Sequence, residues 1–455
     1  MHIAVVGCGY VGSVTAACLA WLGHAVVGLE VDEERAGMLS RGQVPFFEPG
    51  LPELIAEVRP PGRLTFTSDA GAAIRRAEVV FLCVGTPADD DGRPDLTQLR
   101  EAALAVAEHA RVGTVIVGKS TVPIGSGDWL GGVLDEAVPP IRRGRIPVVA
   151  NPEFLREGSA IEDFLFPDRL VLGGDSQPVE KVVRVYRPLL DQVFAGGDPS
   201  RRPALFVMDR LSAEMVKYAA NAALATKISL ANEFATLCEL TGADARVVLP
   251  AVGADRRIGS GFLRPGLGWG GSCLPKDTAA LVHVGADLGY DMPLVRAVRE
   301  VNARQASWAA CRLEHALGSL DGSRIAVLGL SFKPATDDLR SSPALALTRS
   351  LLDEGVYVVA FDPIVKRLPA GHEGVRLADD PYEAADGADA VVVATDWPEF
   401  HALDLDVLRE RMRGDVVLDG RNVLADGNAA SKGLRVLGAG WHEGIAGRPR
   451  ARRAS

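Results

Sequence analysis

A buried parallel sheet leaves a recognisable rhythm in a sequence, and this chain shows it from its first residues. His2–Val6 is an apolar run, Tyr10–Leu22 carries a helical pattern, and Ala25–Glu30 is a second apolar run. Strand-sized runs follow at Val79–Val84, Thr114–Val117 and Ile146–Ala150, with helical stretches between them. Strands alternating with helices predict βαβ units, because parallel strands need long crossovers that cover both faces of the sheet. The rhythm restarts at Arg324–Leu328 and runs through a helix near Pro343–Leu352 to a strand Val356–Phe361, ending in Asp362. Ala388–Ala394 resembles Ala77–Cys83, so the two halves read as α/β domains of one design.

Between them lies a helical section. From Ser212 to Thr241, apolar residues recur at Met215, Tyr218, Ala219, Ala222, Ala225, Ile228, Phe234 and Leu237, close to helical spacing. Ser212 is the expected N-cap and Gly242 the expected stop, and about 30 residues would span roughly 45 Å. The alanines of this helix permit close packing, which suits a connector and dimer spine. The expected fold is therefore α/β: two Rossmann-like parallel-sheet domains joined by a central helical dimerisation domain with one long helix. The expected boundaries are 1–203, 204–317 and 318–445. An Arg-rich tail at 446–455 is expected to be disordered.

The chain has 455 residues, which at about 150 per domain fits three domains. Its 49 Lys plus Arg against 59 Asp plus Glu give a net charge of −10, which argues against a general nucleic-acid binder. Net charge does not describe one cleft, and a local group of basic residues could still hold an anion. No apolar run approaches the ~20 residues of a membrane span. Met1-His2 leads straight into a strand with no basic region before it, so a cytoplasmic enzyme without a signal peptide is expected. The six cysteines lack zinc-like spacing, so reduced thiols and no metal are expected.

Gly7-Cys8-Gly9-Tyr10-Val11-Gly12 fits GxGxxG, directly after a strand and opening a helix. Gly7 would permit the tight turn, Gly9 would let a pyrophosphate approach, and Gly12 would let the helix pack closely on the strand. The second strand ends in Glu30, where an acid binds ribose hydroxyls and disfavours a 2′-phosphate. That favours NAD over NADP, a preference Arg35 weakens slightly.

The most informative stretch is Gly268-Trp269-Gly270-Gly271-Ser272-Cys273-Leu274-Pro275-Lys276-Asp277. A glycine-rich loop delivers Cys273 to the start of a helix, with Pro275 at its expected first position. The positive end of the helix and Lys276 would both lower the thiol pKa, which suits a nucleophile. Cys8, Cys18 and Cys238 read instead as small buried hydrophobes. Lys217 and Asn221, four apart, share a helix face. They are either a solvated lysine and its neighbour or a pair that stabilises an oxyanion. Asn151–Gly158 follows a strand at the carboxyl edge of the sheet, and its Glu153 and Glu157 are either surface charges or acid/base groups. Lys119–Pro123 also ends a strand, so Thr121 could line the same crevice.

Oxidation of an alcohol by NAD needs no covalent step, whereas oxidation of an aldehyde benefits from one. A thiolate turns the aldehyde into a thiohemiacetal, which gives up hydride to become a thioester for water to cleave. A dinucleotide fold with an activated cysteine therefore points to an acid as final product.

The chain resembles the UDP-glucose 6-dehydrogenase group of the nucleotide-sugar dehydrogenases. The matching segments are GCGYVG at Gly7, STVPIGS at Ser120, NPEFLREGSA at Asn151, AEMVKYAANA at Ala213, RIGSGFLRPGLGWGGSCLPKD at Arg257 and GLSFKPATDDLR at Gly329. They span nearly the whole chain in family order. The resemblance implies a cytoplasmic homodimer that oxidises C6 of UDP-glucose by four electrons to UDP-glucuronate, reducing two NAD. It implies Cys273 as nucleophile, Lys217 and Asn221 as oxyanion donors, Asp277 and Thr121 as holders of a proton-relaying water, and Glu153 as acid/base in thioester hydrolysis. At the cofactor it implies Gly7, Gly9, Tyr10, Val11, Gly12, Glu30, Arg35, Gly85, Thr86, Pro87, Ser120, Thr121, Glu157, Lys276 and Arg340. At the substrate it implies Glu153, Phe154, Leu155, Glu157, Lys217, Asn221, Phe262, Arg264, Gly270, Cys273 and Phe332. Lys333 and Arg421 would bind the diphosphate, and Arg257 would reach the neighbouring subunit's site. Two departures are mild: Glu30 replaces the usual Asp, and Trp269 replaces a Phe or Tyr beside the nucleotide sugar. The rival readings are the same chemistry on dTDP-glucose or GDP-mannose, a two-electron β-hydroxyacid-type dehydrogenase, and a non-catalytic nucleotide sensor.

Overall fold

The computed structural model describes residues 1–60, 62–87, 94–424 and 429–441; the tail expected at 446–455 lies outside them. The described chain forms two compact units, Met1–Ala220 and Asn221 onward. The division falls within the long helix Arg210–Thr241, which contributes to both.

The first unit is built on strands β1 (His2–Val6), β2 (Ala25–Leu29), β3 (Leu64–Thr67), β4 (Val79–Leu82), β5 (Val115–Gly118), β6 (Val148–Ala150), β7 (Arg169–Gly173) and β8 (Ala204–Met208). Their order is β3-β2-β1-β4-β5-β6-β7-β8. All pairs are parallel except β6 with β7, which meet only at Ala150 and Gly173. β4 is buried along its whole length, which is why its sequence is a continuous apolar run rather than an alternation. Because β1 pairs with both β2 and β4, the chain changes direction between β1 and β4, and a crevice opens at their carboxyl ends. The glycine-rich turn leaves β1 at that point.

The second unit repeats the plan with β9 (Arg324–Leu328), β10 (Tyr357–Phe361), β11 (Arg376–Leu377), β12 (Ala390–Val393), β13 (Val416–Asp419) and β14 (Arg435–Gly438). Their order is β11-β10-β9-β12-β13-β14, all parallel, so the crevice recurs between β9 and β12. The similarity of Ala388–Ala394 to Ala77–Cys83 therefore marks two strands in equivalent places, β12 and β4.

Strand ends shift by a residue or two from the sequence reading, and three differences have a local cause. The long helix starts at Arg210 because Asp209, not Ser212, caps it: the Ser212 N–H and hydroxyl donate to the Asp209 carboxylate at 2.9 and 2.6 Å. Its end is as expected, with Gly242 in the left-handed region at φ +76°. The strand expected from Ile146 begins only at Val148, since Pro147 has no N–H to give to the ladder. Pro275 is the second residue of the helix Leu274–Asp287, whose N-cap is Cys273 itself. Among the described residues no helix is long and apolar enough to cross a membrane.

Candidate active site

The turn after β1 has the form a dinucleotide requires. Gly7 sits at φ +85°, and a Cβ on Gly12 would lie 1.8 Å from the Gly7 carbonyl oxygen, so both positions demand glycine. A Cβ on Gly9 would meet nothing within 4 Å, which leaves the backbone open to an incoming pyrophosphate. The helix Tyr10–Trp21 begins immediately after it and offers its free N–H groups there. Glu30, at the end of β2, is buried, and its carboxylate accepts the N–H groups of Cys8 and Asp32, each at 3.2 Å. That fixes a negative charge at the mouth of the turn, where ribose hydroxyls would bind and a 2′-phosphate would be repelled. Arg35 lies exposed, its N–H donating to Asp32. Val11 is half-buried against the core. These residues fit a dinucleotide and favour NAD.

Along the same sheet edge, Ser120 donates to the Val84 carbonyl at 2.7 Å, and Thr86 donates to the Thr121 carbonyl at 2.6 Å. The Gly85–Pro87 turn after β4 is thereby tied to the Ser120-Thr121 turn after β5. Lys217 and Glu153 are the main charged pair of this unit. Both are about 5% exposed, and the ammonium donates to Glu153 Oε1 at 2.8 Å. The other carboxylate oxygen accepts the Leu155 N–H at 2.7 Å. Burial pushes the Glu153 carboxyl up, but Lys217, Leu155 N–H and Lys119 outweigh it and hold the group below the usual glutamate value. Phe154 lies between two cations, with Arg169 4.0 Å and Lys217 5.6 Å from its ring centre. A cleft beside them is lined by Thr121, Val122, Pro152, Glu214, Lys217 and Tyr218. The solvated-lysine reading of Lys217 and the surface-charge reading of Glu153 both fall here.

In the second unit, Cys273 is partly exposed at the N-cap of its helix, with Sγ 3.5 Å from the Ser272 hydroxyl. Four residues on, Asp277 is fully buried; its carboxylate accepts Asn221 Nδ2 at 2.6 Å and Lys276 Nζ at 2.9 Å. Asn221, Lys276 and Asp277 thus form one network one turn beyond the thiol. The glycines before Cys273 are required by close approach. A Cβ on Gly270 would sit 2.2 Å from the Ser341 carbonyl oxygen, and one on Gly271 would enter the Phe332 ring at 2.7 Å. Gly271 N–H donates to the Arg340 carbonyl at 2.9 Å, so the loop bearing Phe332, Lys333 and Arg340 braces the cysteine loop. Lys333 Nζ lies 5.9 Å from the Phe332 ring centre.

Arg421 is half-buried, its guanidinium donating to the carbonyls of Ala394 at 2.8 Å and Gly268 at 3.1 Å; loss of solvent around the guanidinium pushes its pKa down to about 10. Arg257 and Arg264 are highly exposed, paired with Asp255 and Asp396, and Phe262 stands at φ +64°. Trp269 is corrected by the structure: its ring lies in the core with Ala225 and Val298 rather than open to a ligand, and its indole N–H donates to Ser229 at 3.0 Å. A large ring buries its area where it can, provided its N–H finds a partner.

In the first unit, sequence reasoning assigned no role to the buried side chains Glu48, Glu214 and Lys119. Glu48 accepts from Tyr10, from the Gly158 N–H at 2.5 Å and from the Ala160 N–H at 2.7 Å, joining the dinucleotide turn to the Glu153–Glu157 loop. Glu214 accepts the Gly125 and Gly127 N–H groups at 2.6 and 2.8 Å, tying the long helix to the start of the helix Ser126–Ala137. Lys119 is buried beneath the Asn151 loop. Their partners are far off in sequence and largely backbone, so no spacing signals them. Glu157 stays half-buried near Tyr10.

Residues 1–190, 211–304 and 326–426 match, in that order, the NAD binding, central and UDP binding domains of the UDP-glucose/GDP-mannose dehydrogenase family. The chain is 44% identical over 446 residues to the UDP-glucose 6-dehydrogenase of Rhizobium meliloti, covering 97% of this chain and 99% of that one. A UDP-glucose dehydrogenase structure from Pyrobaculum islandicum superposes with a TM-score of 0.85 at 39% identity, covering 96% of this chain and 97% of that one. A UDP-D-ManNAc dehydrogenase from Pyrococcus horikoshii has the same TM-score at 30% identity, covering 97% and 99%.

Proposed function

The chain belongs to the UDP-glucose/GDP-mannose dehydrogenase family, and on that premise we propose that it oxidises the C6 hydroxyl of UDP-glucose to the carboxylate of UDP-glucuronate, reducing two NAD. The observation that carries the reading is Cys273, a partly exposed thiol at a helix N-terminus on a loop whose glycines have no room for side chains. An alcohol-to-aldehyde enzyme would have no use for it. Bound NAD accepts one hydride in each oxidation.

The chain's own residues do the rest. The Cys273 sulfur adds to the aldehyde carbon, and after hydride loss the resulting thioester is cleaved by water, which returns the thiol. Lys217 and Asn221 donate to the substrate oxygen as negative charge develops on it. Asp277, with Thr121, holds the water through which protons leave, and Glu153 takes the proton of the hydrolytic water. Glu157 contacts cofactor and sugar, and Lys276 and Arg340 contact the cofactor. Phe154, Leu155, Phe262, Arg264, Gly270 and Phe332 contour the sugar nucleotide, while Lys333 and Arg421 face its diphosphate. In this reading 1–203 serves the cofactor, 204–317 the dimer and the cysteine, and 318–445 the nucleotide sugar.

The dimer proposal draws on exposed apolar side chains in each unit. Leu205, Phe206 and Val207 of the edge strand β8 are all exposed, as are Leu230, Phe234, Leu237 and Leu240 along the long helix. A second copy of the chain would cover them and bring Arg257 to its neighbour's substrate.

The test is stoichiometry and a substrate panel. Purified protein should yield two NADH per UDP-glucose, with dTDP- and GDP-hexoses turned over more slowly, and Cys273→Ser should stall at an aldehyde or covalent stage. One NADH per substrate, or acid production by Cys273→Ala at the normal rate, would sink it.

A further inference from the structure

Lys119 is a buried ammonium for which the mechanism above has no use. It follows β5, is 4% exposed, and has one hydrogen-bond acceptor, Asn151 Oδ1 at 3.4 Å. The rings of Phe164 and Tyr186 lie 5.7 and 6.0 Å away. Asn151 is itself locked: Tyr186 OH donates to the same oxygen at 2.7 Å, and Asn151 Nδ2 donates to the Val171 carbonyl at 3.0 Å. Burial lowers the Lys119 pKa and so works against its charged form, while a carboxylate nearby works to keep it charged. The groups facing it are Cys83 after β4, Glu153 after β6, Lys217 on the long helix and Cys18 on the helix Tyr10–Trp21. Burial holds both thiols neutral, raising Cys83 to about 12 and Cys18 higher still. Glu153 is therefore the carboxylate that Lys119 acts on, and two lysines face one acid.

We propose that Lys119 is a positioning residue for thioester hydrolysis, a second buried cation that keeps Glu153 an ionised base once Lys217 turns to the substrate oxygen. The inference rests on the reading of Glu153 as the hydrolytic base. In that step the water oxygen bonds to the thioester carbon and one water proton passes to Glu153. The C–S bond breaks, and Cys273 leaves as thiolate. While Lys217 is paired with Glu153 it can hold that charge alone. When its ammonium is engaged by the oxyanion, Glu153 would lose its closest partner inside a dry cleft and take up a proton from solvent. Lys119 cannot be drawn away in the same manner, because Asn151 and the two rings enclose it.

The test is the pH dependence of kcat with UDP-glucose and NAD. It compares wild type, Lys119→Met and the smaller Lys119→Gln, each also in a Glu153→Gln background, with folding checked by thermal melts. Removing a nearby cation raises a carboxyl pKa, so the acidic limb should move up by about one pH unit. Activity on that limb then falls about tenfold. In the Glu153→Gln background the limb is absent and substitution of Lys119 adds no shift, whereas a purely structural role would lower the melting temperature and leave the limb in place. Limbs of both folded Lys119 variants that superimpose on wild type, with normal turnover of UDP-glucose, overturn this inference alone. A wild-type protein that does not turn over UDP-glucose overturns the parent reading and this one with it.

Discussion

A buried charge is informative because it must be held by something. Lys217 and Glu153 hold each other, and the linkage to pH has a definite sign. The Glu153 carboxyl lies below its usual value in the folded protein, so the folded state binds fewer protons than the unfolded chain just below pH 4.5. The stabilisation is therefore complete above that value and is lost as pH falls through the folded pKa. Lys217→Met leaves Glu153 buried with one less partner, which for a buried pair costs about 3–5 kcal/mol near neutrality. As pH falls the carboxyl, left with Lys119 and the Leu155 N–H, can protonate, and the penalty should shrink. Melting temperatures of wild type and variant should therefore converge from pH 7 toward pH 5; a deficit constant across that range would contradict the pairing. Sequence alone gave Lys217 two readings, since a lysine on a helix shows nothing of what lies opposite. Glu153 was 64 positions away, and only the folded sheet edge brings the two together.

Elements whose logic is local were read more fully. The turn after β1 needs glycine at Gly7 and Gly12 for reasons that act within a few residues, so a short motif carries them. The structure separates the glycines by role. At Gly12 an added methyl strikes the Gly7 carbonyl, and Gly12→Ala should push the helix off β1, lowering the melting temperature and abolishing NAD binding. At Gly9 the backbone, φ −70° and ψ −158°, suits any residue, and the added methyl meets open space. Gly9→Ala should therefore melt as wild type within about 0.5 kcal/mol yet bind NAD more weakly, because the methyl occupies the pyrophosphate's approach. NADH fluorescence titration beside a thermal melt distinguishes the two, and equal effects of both substitutions on stability would refute the division. What was misjudged at this scale was which side chain caps or anchors an element. Asp209 outcompetes Ser212 because a carboxylate accepts both available donors, and Trp269 turns inward because Ser229 satisfies its N–H.

For the whole molecule, the duplicated plan was legible because parallel strands buried on both faces leave long apolar runs, and both sheets share one strand order about their switch points. The proposed assembly is less legible, since an apolar residue facing a partner has the same composition as one facing a core. Leu230, Phe234 and Leu237 recur at spacings of four and three along the long helix, and each is more than 40% exposed in the single chain. A stripe of that kind on a helix is expected to be covered. A charge within it should break the covering contact, so wild type should sediment as a dimer and Phe234→Glu as a monomer. Arg257, 88% exposed, permits a sharper test of whether the dimer completes the site. Arg257→Ala and Cys273→Ala subunits should each be inactive as homodimers. In the mixed dimer, the subunit with Cys273 intact receives Arg257 from its partner, and one of its two sites is whole. Random pairing makes half of all dimers mixed, so co-expression with separate tags should restore about one quarter of wild-type activity. Arg257 serving its own chain's substrate predicts no recovery at all, because each site would then carry one defect.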